Sequence, residues 1–264
     1  MILKAITLNM CHGEGTDGKI DVRRQAIFLR KYNPDIIFLQ EIDMYTKRAY
    51  NKNQLYTFSK YSNLPFRAMG TNIKYKNGFY GDGLLSKFPI EYSANYLSPL
   101  TNSQHEQRGI LCNKITFANT KINVFSVHMS TFQEERILTA KELLRITSKI
   151  NKNEPIIIGG DFNVGITKVG NHKYEYEPKE KYEEYEILKG KFNHIDNKET
   201  TWISPDSNGC IDSFFYSKNL QLLKYETIKT DISDHYPIYV EFRIWNLFAK
   251  FSKKFCVNYL QNTY

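Results

Sequence analysis

The sequence predicts an α/β fold in which two β-sheets pack as a sandwich. Three observations carry this. Short apolar runs of strand length recur at 2–8, 36–40, 110–117, 121–128, 155–159, 211–216 and 237–244. Helical periodicity is confined to two stretches, 21–32 and 133–150. Strands and helices do not alternate regularly, and many strands with few helices suit a two-sheet sandwich. At 264 residues, with no internal repeat and no hinge-like linker, the chain reads as one domain able to bury a sizeable core without disulfides.

The elements follow in order. Ile2, Leu3, Ala5, Ile6 and Leu8 make the first strand. No basic n-region or small-residue cleavage site precedes them, so an intracellular, cytoplasmic protein is expected. In the first helix Val22, Ala26 and Leu29 share a face, Asp21 is placed to cap it, and Asn33-Pro34-Asp35 ends it. The apolar run of "PDIIFLQEID" then closes in Gln40-Glu41. The second helix aligns Ile137, Ala140 and Leu144. In "PIIIGGDFNV", residues 155–164, a buried-type strand gives way to Asp161 and Asn163, with Gly159-Gly160 leaving room for backbone and substrate. Residues 168–191, nearly all Lys, Glu and Tyr, read as a solvated loop or exposed helix.

A domain boundary is drawn at 242. Beyond it, 243–264 carries Arg243, Lys250, Lys253 and Lys254 and no acid, while Leu247, Phe251 and Phe255 share a helical face. That pattern suits a membrane-surface helix and equally a helix docked on its own domain. No apolar run reaches membrane-span length. Net charge is +8, compatible with nucleic acid or an anionic membrane as partner. The Lys-, Asn-, Ile- and Tyr-rich composition accounts for it as well, so the charge has little weight. Cys11, Cys112, Cys210 and Cys256 form no CxxC pair, which argues for free thiols and against a structural zinc site. A monomer is expected.

Six strand ends present polar chemistry: Asn9 with His12, Gln40-Glu41, His128, Asp161 with Asn163, Asp212, and Asp234-His235. Singly, such residues cap turns. A glutamate inside "FLQEI", flanked by apolar residues, needs a partner or a cation. Carboxylate oxygens from Glu41, Asp161 and Asp234, amide oxygens from Asn9 and Asn163 and no cysteine in the set favour Mg²⁺ or Mn²⁺ over zinc. His128 and His235 are candidate donors to phosphate oxygens, and Asp212 can orient an imidazole and raise its pKa. Metal, oriented water and positive donors are the parts needed to attack a phosphoester.

Asn9, "LQE" at 39–41, His128, "GDFN" at 160–163, Asp212 and "SDH" at 233–235, in this order, resemble the endonuclease/exonuclease/phosphatase (DNase I-like) superfamily over residues 2 to about 242. The resemblance implies a four-layer α/β sandwich, two packed, mostly antiparallel sheets flanked by helices. It also implies a divalent-metal-dependent phosphoesterase. "TLNMCHGEGTDGKIDVRR", "YGDGLLSKFPI" and "HMSTFQEER" are similar to a branch of bacterial metal-dependent hydrolases. In that branch the first motif is usually Asn-x-His-His-Gly; here Cys11 replaces the first His, and Asp82 stands where Asn is commoner.

Carried over, Glu41 is the principal metal ligand, with Asn9 and Asp234 close by. Asp161 orients or deprotonates the attacking water, and Asn163 positions it or the phosphate. His235, paired with Asp212, donates to a non-bridging oxygen, and His128 meets the phosphate or leaving group. Arg108 and His12 are phosphate-binding candidates, Arg108 having a surface ion pair as its alternative. Nucleic acid leads among the substrate classes, and a lipid or small-molecule phosphoester is the alternative. A non-catalytic binding module is disfavoured because no core polar residue is lost.

Overall fold

The computed structural model describes residues 1–170, 173–205 and 207–245. In chain order the strands are β1 (Ile2–Asn9), β2 (Ile36–Met44), β3 (Phe66–Tyr75), β4 (Gly78–Ser86), β5 (Ile90–Leu97), β6 (Gly109–Phe117), β7 (Thr120–His128) and β8 (Ile156–Asp161). They continue as β9 (Ile166–Gly170), β10 (Lys173–Tyr176), β11 (Asn193–His194), β12 (Trp202–Ile203), β13 (Asn208–Gly209), β14 (Asp212–Tyr216), β15 (Leu220–Thr227) and β16 (Ile238–Ile244). The helices are α1 (Val22–Arg30), α2 (Gln54–Ser62), α3 (Gln133–Thr147) and α4 (Glu183–Lys189).

Two six-stranded sheets result, ordered β15-β16-β1-β2-β4-β3 and β11-β14-β8-β7-β6-β5. Each has one parallel pairing at its centre, β1 with β2 and β7 with β8; the other pairings are antiparallel. The central strands are buried on both faces, which is why they read as unbroken apolar runs rather than alternating ones. Leu3 and Ala5 of β1 and Ile36 and Phe38 of β2 pack against Leu111, Val124, Ile157 and Phe214 of the facing sheet. The opposite faces, Ile6 and Leu8 among them, pack on Ala26, Leu29 and Phe58 of α1 and α2. On the other side Phe125 and Ile158 meet Ala140, Leu143 and Leu188 of α3 and α4. Helix, sheet, sheet, helix: the four layers expected.

Asp21 caps α1 as expected, accepting from Arg24 N at 3.1 Å. Elsewhere the structure corrects the sequence reading. The stretch 44–80 holds α2 and β3, and 168–191, expected as a solvated loop or exposed helix, is in large part strand and partly buried helix. It forms the β9–β10 hairpin and α4, whose Glu184, Tyr185 and Leu188 are buried against α3. Strand β16 runs two residues past the boundary set at 242, with Arg243 paired to Ile2 and Ile244 buried. The rest of the basic C-terminal segment, from 246, lies outside the described residues. Among the described residues no helix is long and apolar enough to cross a membrane.

Candidate active site

Strand polarity brings the predicted residues together. Parallel pairing puts the C-terminal ends of β1 and β2 side by side, Asn9 opposite Gln40, and likewise His128 of β7 opposite Asp161 of β8. Strand β14 runs antiparallel to β8, so its first residue, Asp212, sits opposite Asp161. Strand β16 runs antiparallel to β1, which returns the preceding Asp234-His235 to the same edge. A cleft of about 610 Å³ opens there, lined by Asn9, His12, Glu41, Arg108, His128, Asp161, Asn163, Asp234 and His235. Asp212 lies behind it, 1 % exposed.

Glu41 reaches this edge through a backbone irregularity. Register between β2 and β4 shifts between Leu39 and Ile42, and Glu41 has φ +60°. Such a bulge re-aims a side chain out of its strand. Glu41 is therefore half-buried at the cleft rather than enclosed in the apolar run, as its flanks had suggested. Its neighbour Gln40 stays inside, accepting from Thr7 Oγ1 at 3.3 Å and donating to Ser126 Oγ at 3.1 Å, a polar tie between the sheets.

Asn9 Nδ2 donates to Glu41 Oε1 and to Asp161 Oδ2, both at 3.0 Å, while its oxygen accepts from Cys11 N. As oriented, Asn9 joins two carboxylates and its oxygen faces away from them. Asp161 Oδ1 accepts from Asn163 N at 2.9 Å, made possible by the left-handed φ of +49° at Asn163, whose Nδ2 is committed to the Met129 carbonyl. Burial, and Asp212 opposite, raise the pKa of Asp161; His235 offsets this in part.

His235 Nδ1 lies 2.8 Å from Asp212 Oδ2, and its Nε2 lies 3.9 Å from Asp161 Oδ2. Burial alone would lower its pKa, but the carboxylates, Asp212 foremost, outweigh burial and raise it to about 10. It is an imidazolium at neutral pH. His128 is its opposite: burial, Arg108 and His235 hold its pKa well below the usual range. Arg108 donates to His128 Nδ1 at 2.8 Å, so the ring proton is on Nε2, 3.4 Å from Asp161 Oδ2. Arg108 combines its two expected readings, lining the cleft while paired with Glu106 at 2.9 Å.

The donor set fits a hard divalent ion. Glu41, Asp161 and Asp234 supply oxygens at one edge, and among the described residues no Lys or Arg forms an ion pair with any of them. Asp212 Oδ1 is buried with no hydrogen-bond partner. His235 faces Asp212 and Asp161, and a divalent ion would offset the remaining carboxylates.

Asp82 does not line the cleft; it is fully buried and accepts from Asn72 Nδ2 at 2.9 Å, with Arg108, Glu41 and Asp161 near enough to act on its charge. Gly159 and Gly160 make room for protein, not substrate: a Cβ would fall 2.4 Å from the Phe214 ring and 1.9 Å from the Val127 carbonyl oxygen respectively. His105 stacks on Phe132 and His194 meets Ser213, both structural, while His172 lies outside the described residues. Sequence reasoning named no residue of the rim, where Arg48, Tyr75, Tyr80, Tyr174 and Trp202 line the cleft. A turn signal, Asn77-Gly78, marks the hairpin that carries Tyr75 and Tyr80; Tyr174 and Trp202 carried no signal.

The family described as Endonuclease/Exonuclease/phosphatase family matches residues 6–235. Similar solved structures include an endonuclease/exonuclease/phosphatase from Beutenbergia cavernae, at TM-score 0.74 and 16 % identity, covering 92 % of this chain and 72 % of that one. Another is D. rerio TDP2 complexed with single strand DNA product, at TM-score 0.68 and 19 % identity, covering 92 % and 99 %. These likenesses show the fold. The Escherichia coli K12 protein YbhP, described as uncharacterized, is 30 % identical over 98 residues, 36 % of this chain and 38 % of YbhP.

Proposed function

The chain belongs to the endonuclease/exonuclease/phosphatase family, and from that premise we propose that it is a phosphodiesterase dependent on Mg²⁺ or Mn²⁺, with nucleic acid as its leading substrate class. The observation that carries the reading is the split of charge at the cleft floor. Asp212 keeps His235 cationic, while Asp161, joined through Asn9 to Glu41, faces it as an acceptor.

Glu41 and Asp234 would hold the ion; Asn9, expected as a ligand, instead fixes the Glu41 and Asp161 carboxylates through its amide N–H groups. Bound there, the ion would neutralise charge on the phosphoryl oxygens. Asp161 orients the attacking water and accepts its proton, and a carboxylate raised above its usual range is the stronger base. Asn163 keeps Asp161 in position through its backbone N–H. His235 Nε2–H donates to a non-bridging oxygen as negative charge builds there. His128 Nε2–H adds a neutral donor at the same place.

Support for nucleic acid comes from the rim, where Tyr174 and Trp202 line the cleft as aromatic groups of the kind on which bases stack, and Arg48 lies over the Tyr75 ring, 4.7 Å from its centroid. The single strand DNA product bound by TDP2 agrees with it. The test is a panel of DNA, RNA, cyclic dinucleotide, phosphoinositide, sphingomyelin and a generic diester with Mg²⁺ and Mn²⁺, scored against Asp161→Asn. Cleavage of DNA or RNA is expected. Cleavage confined to the lipids would move the assignment to the lipid alternative, and none above the variant would remove the reading.

A further inference from the structure

Cys11 and His12 take no part in the reaction proposed above, yet they are held at its edge with unusual care. One ligand atom each from Cys11, His12 and Glu41 lies within 4.8 Å of the other two. His12 pairs through Nε2 with Glu14 Oε2 at 3.1 Å, while its Nδ1 is buried with no hydrogen-bond partner. A carboxylate on one ring nitrogen fixes the tautomer and aims the lone pair of the other, as in metal-ligating imidazoles. Cys11 and His12 both have left-handed backbone, φ +44° and +42°, which non-glycine residues adopt at a cost. Gln54 Nε2 on the His12 carbonyl at 2.6 Å and Glu14 N on the Cys11 carbonyl at 2.8 Å hold them there.

We propose that Cys11, His12 and Glu41 form a site for a soft divalent ion of the zinc class, overlapping the oxygen-ligand site at Glu41. Sulfur and imidazole select such an ion over magnesium. On binding, the Cys11 thiol gives its proton to solvent, and three protein ligands leave a fourth position for water. Because Glu41 serves both sites, the two ions compete for its carboxylate: zinc entering on the Cys11 side weakens magnesium binding at Glu41.

The test uses Co²⁺ as a spectroscopic stand-in on the metal-free, full-length protein and needs no turnover, so it stands or falls apart from the phosphodiesterase reading. A thiolate-to-cobalt charge-transfer band is expected to saturate at one equivalent and to vanish on adding zinc. Cys11→Ser should abolish the band and His12→Asn should weaken cobalt binding by roughly tenfold or more, with circular dichroism showing each variant folded. Saturating Mg²⁺ should raise the cobalt midpoint. No band in the wild type, a band that persists in Cys11→Ser, or unchanged affinity in His12→Asn overturns the site. A cobalt midpoint indifferent to Mg²⁺ overturns the sharing of Glu41.

Discussion

Arginine only donates, so the contact from Arg108 to His128 Nδ1 settles which nitrogen of His128 holds its proton. The neutral ring presents Nε2–H to Asp161, while His235 reaches the same oxygen as a cation. Two histidines facing one carboxylate thus differ in charge because their far nitrogens meet an arginine and an aspartate. Replacing Arg108 by Met is expected to release that tautomer, read as mixed Nδ1 and Nε2 protonation of His128 by ¹⁵N NMR. A single unchanged tautomer would show that something else fixes the ring. Asp161→Asn and His235→Ala should each lower kcat by roughly a hundred- to ten-thousand-fold, the scale of a lost general base or charged donor, with unfolding curves close to wild type. Near-wild-type turnover in either would mean the roles are misassigned. These side chains were legible in the sequence because each interrupts an apolar run. Their partners were not: nothing in "QRGIL" says that Arg108 is spent on a histidine twenty residues on.

Strands that cross the middle of the sandwich announce themselves, since burial on both faces demands unbroken Val, Ile, Leu and Phe. Strands β3, β5 and β15, at sheet edges, mix Lys, Asn, Tyr and Glu with fewer apolar residues, so composition hid them. Helix α4 was hidden for another reason. Its Glu184 looks like one more charge in an acidic run but is fully buried, 2.5 Å from the buried Arg136 of α3. Glu184→Ala should cost about 3 kcal/mol, the low end for breaking a buried pair, because Arg136 keeps the Ser130 and Thr131 carbonyls. The exposed neighbour Glu183, changed the same way, should cost under about 0.5 kcal/mol in urea unfolding; equal costs would return this stretch to the surface. At the N-terminus of α3, Glu135 accepts from Thr101 N and Ser130 Oγ and pairs with His105, anchoring the loop before Arg108. Burial would raise its pKa, but these bonds lower it from 4.5 to about 2. A depressed carboxylate stabilises fully above its unfolded pKa, and that stability is lost as pH falls from about 4.5 through about 2. Wild type should lose on the order of 3 kcal/mol over that window that Glu135→Gln does not lose; parallel curves would contradict the assignment.

At the scale of the whole molecule, the fold gathers acids from strands far apart in sequence: Glu41 from β2, Asp161 from β8, Asp212 from β14 and Asp234 from the approach to β16. Each comes from its own strand end, and the sandwich must hold them together against their mutual repulsion. Burial, with Asp212 opposite adding to it, raises the pKa of Asp161, and one oxygen of Asp212 is left without a hydrogen-bond partner. An ion that binds only the assembled edge offsets that repulsion, because the unfolded chain scatters these groups. Linkage then makes stability depend on metal concentration, worth about 2.7 kcal/mol at a hundred times Kd. Mg²⁺ or Mn²⁺ should therefore raise the melting temperature of the EDTA-treated protein progressively, in parallel with recovery of turnover. Glu41→Ala should abolish both responses, since it removes the ligand proposed as principal while leaving the core untouched. Calcium, also oxygen-seeking but larger and tolerant of irregular geometry, should stabilise with less recovery of turnover. A melting temperature indifferent to Mg²⁺ and Mn²⁺, or full turnover in EDTA, would detach this carboxylate edge from metal chemistry altogether.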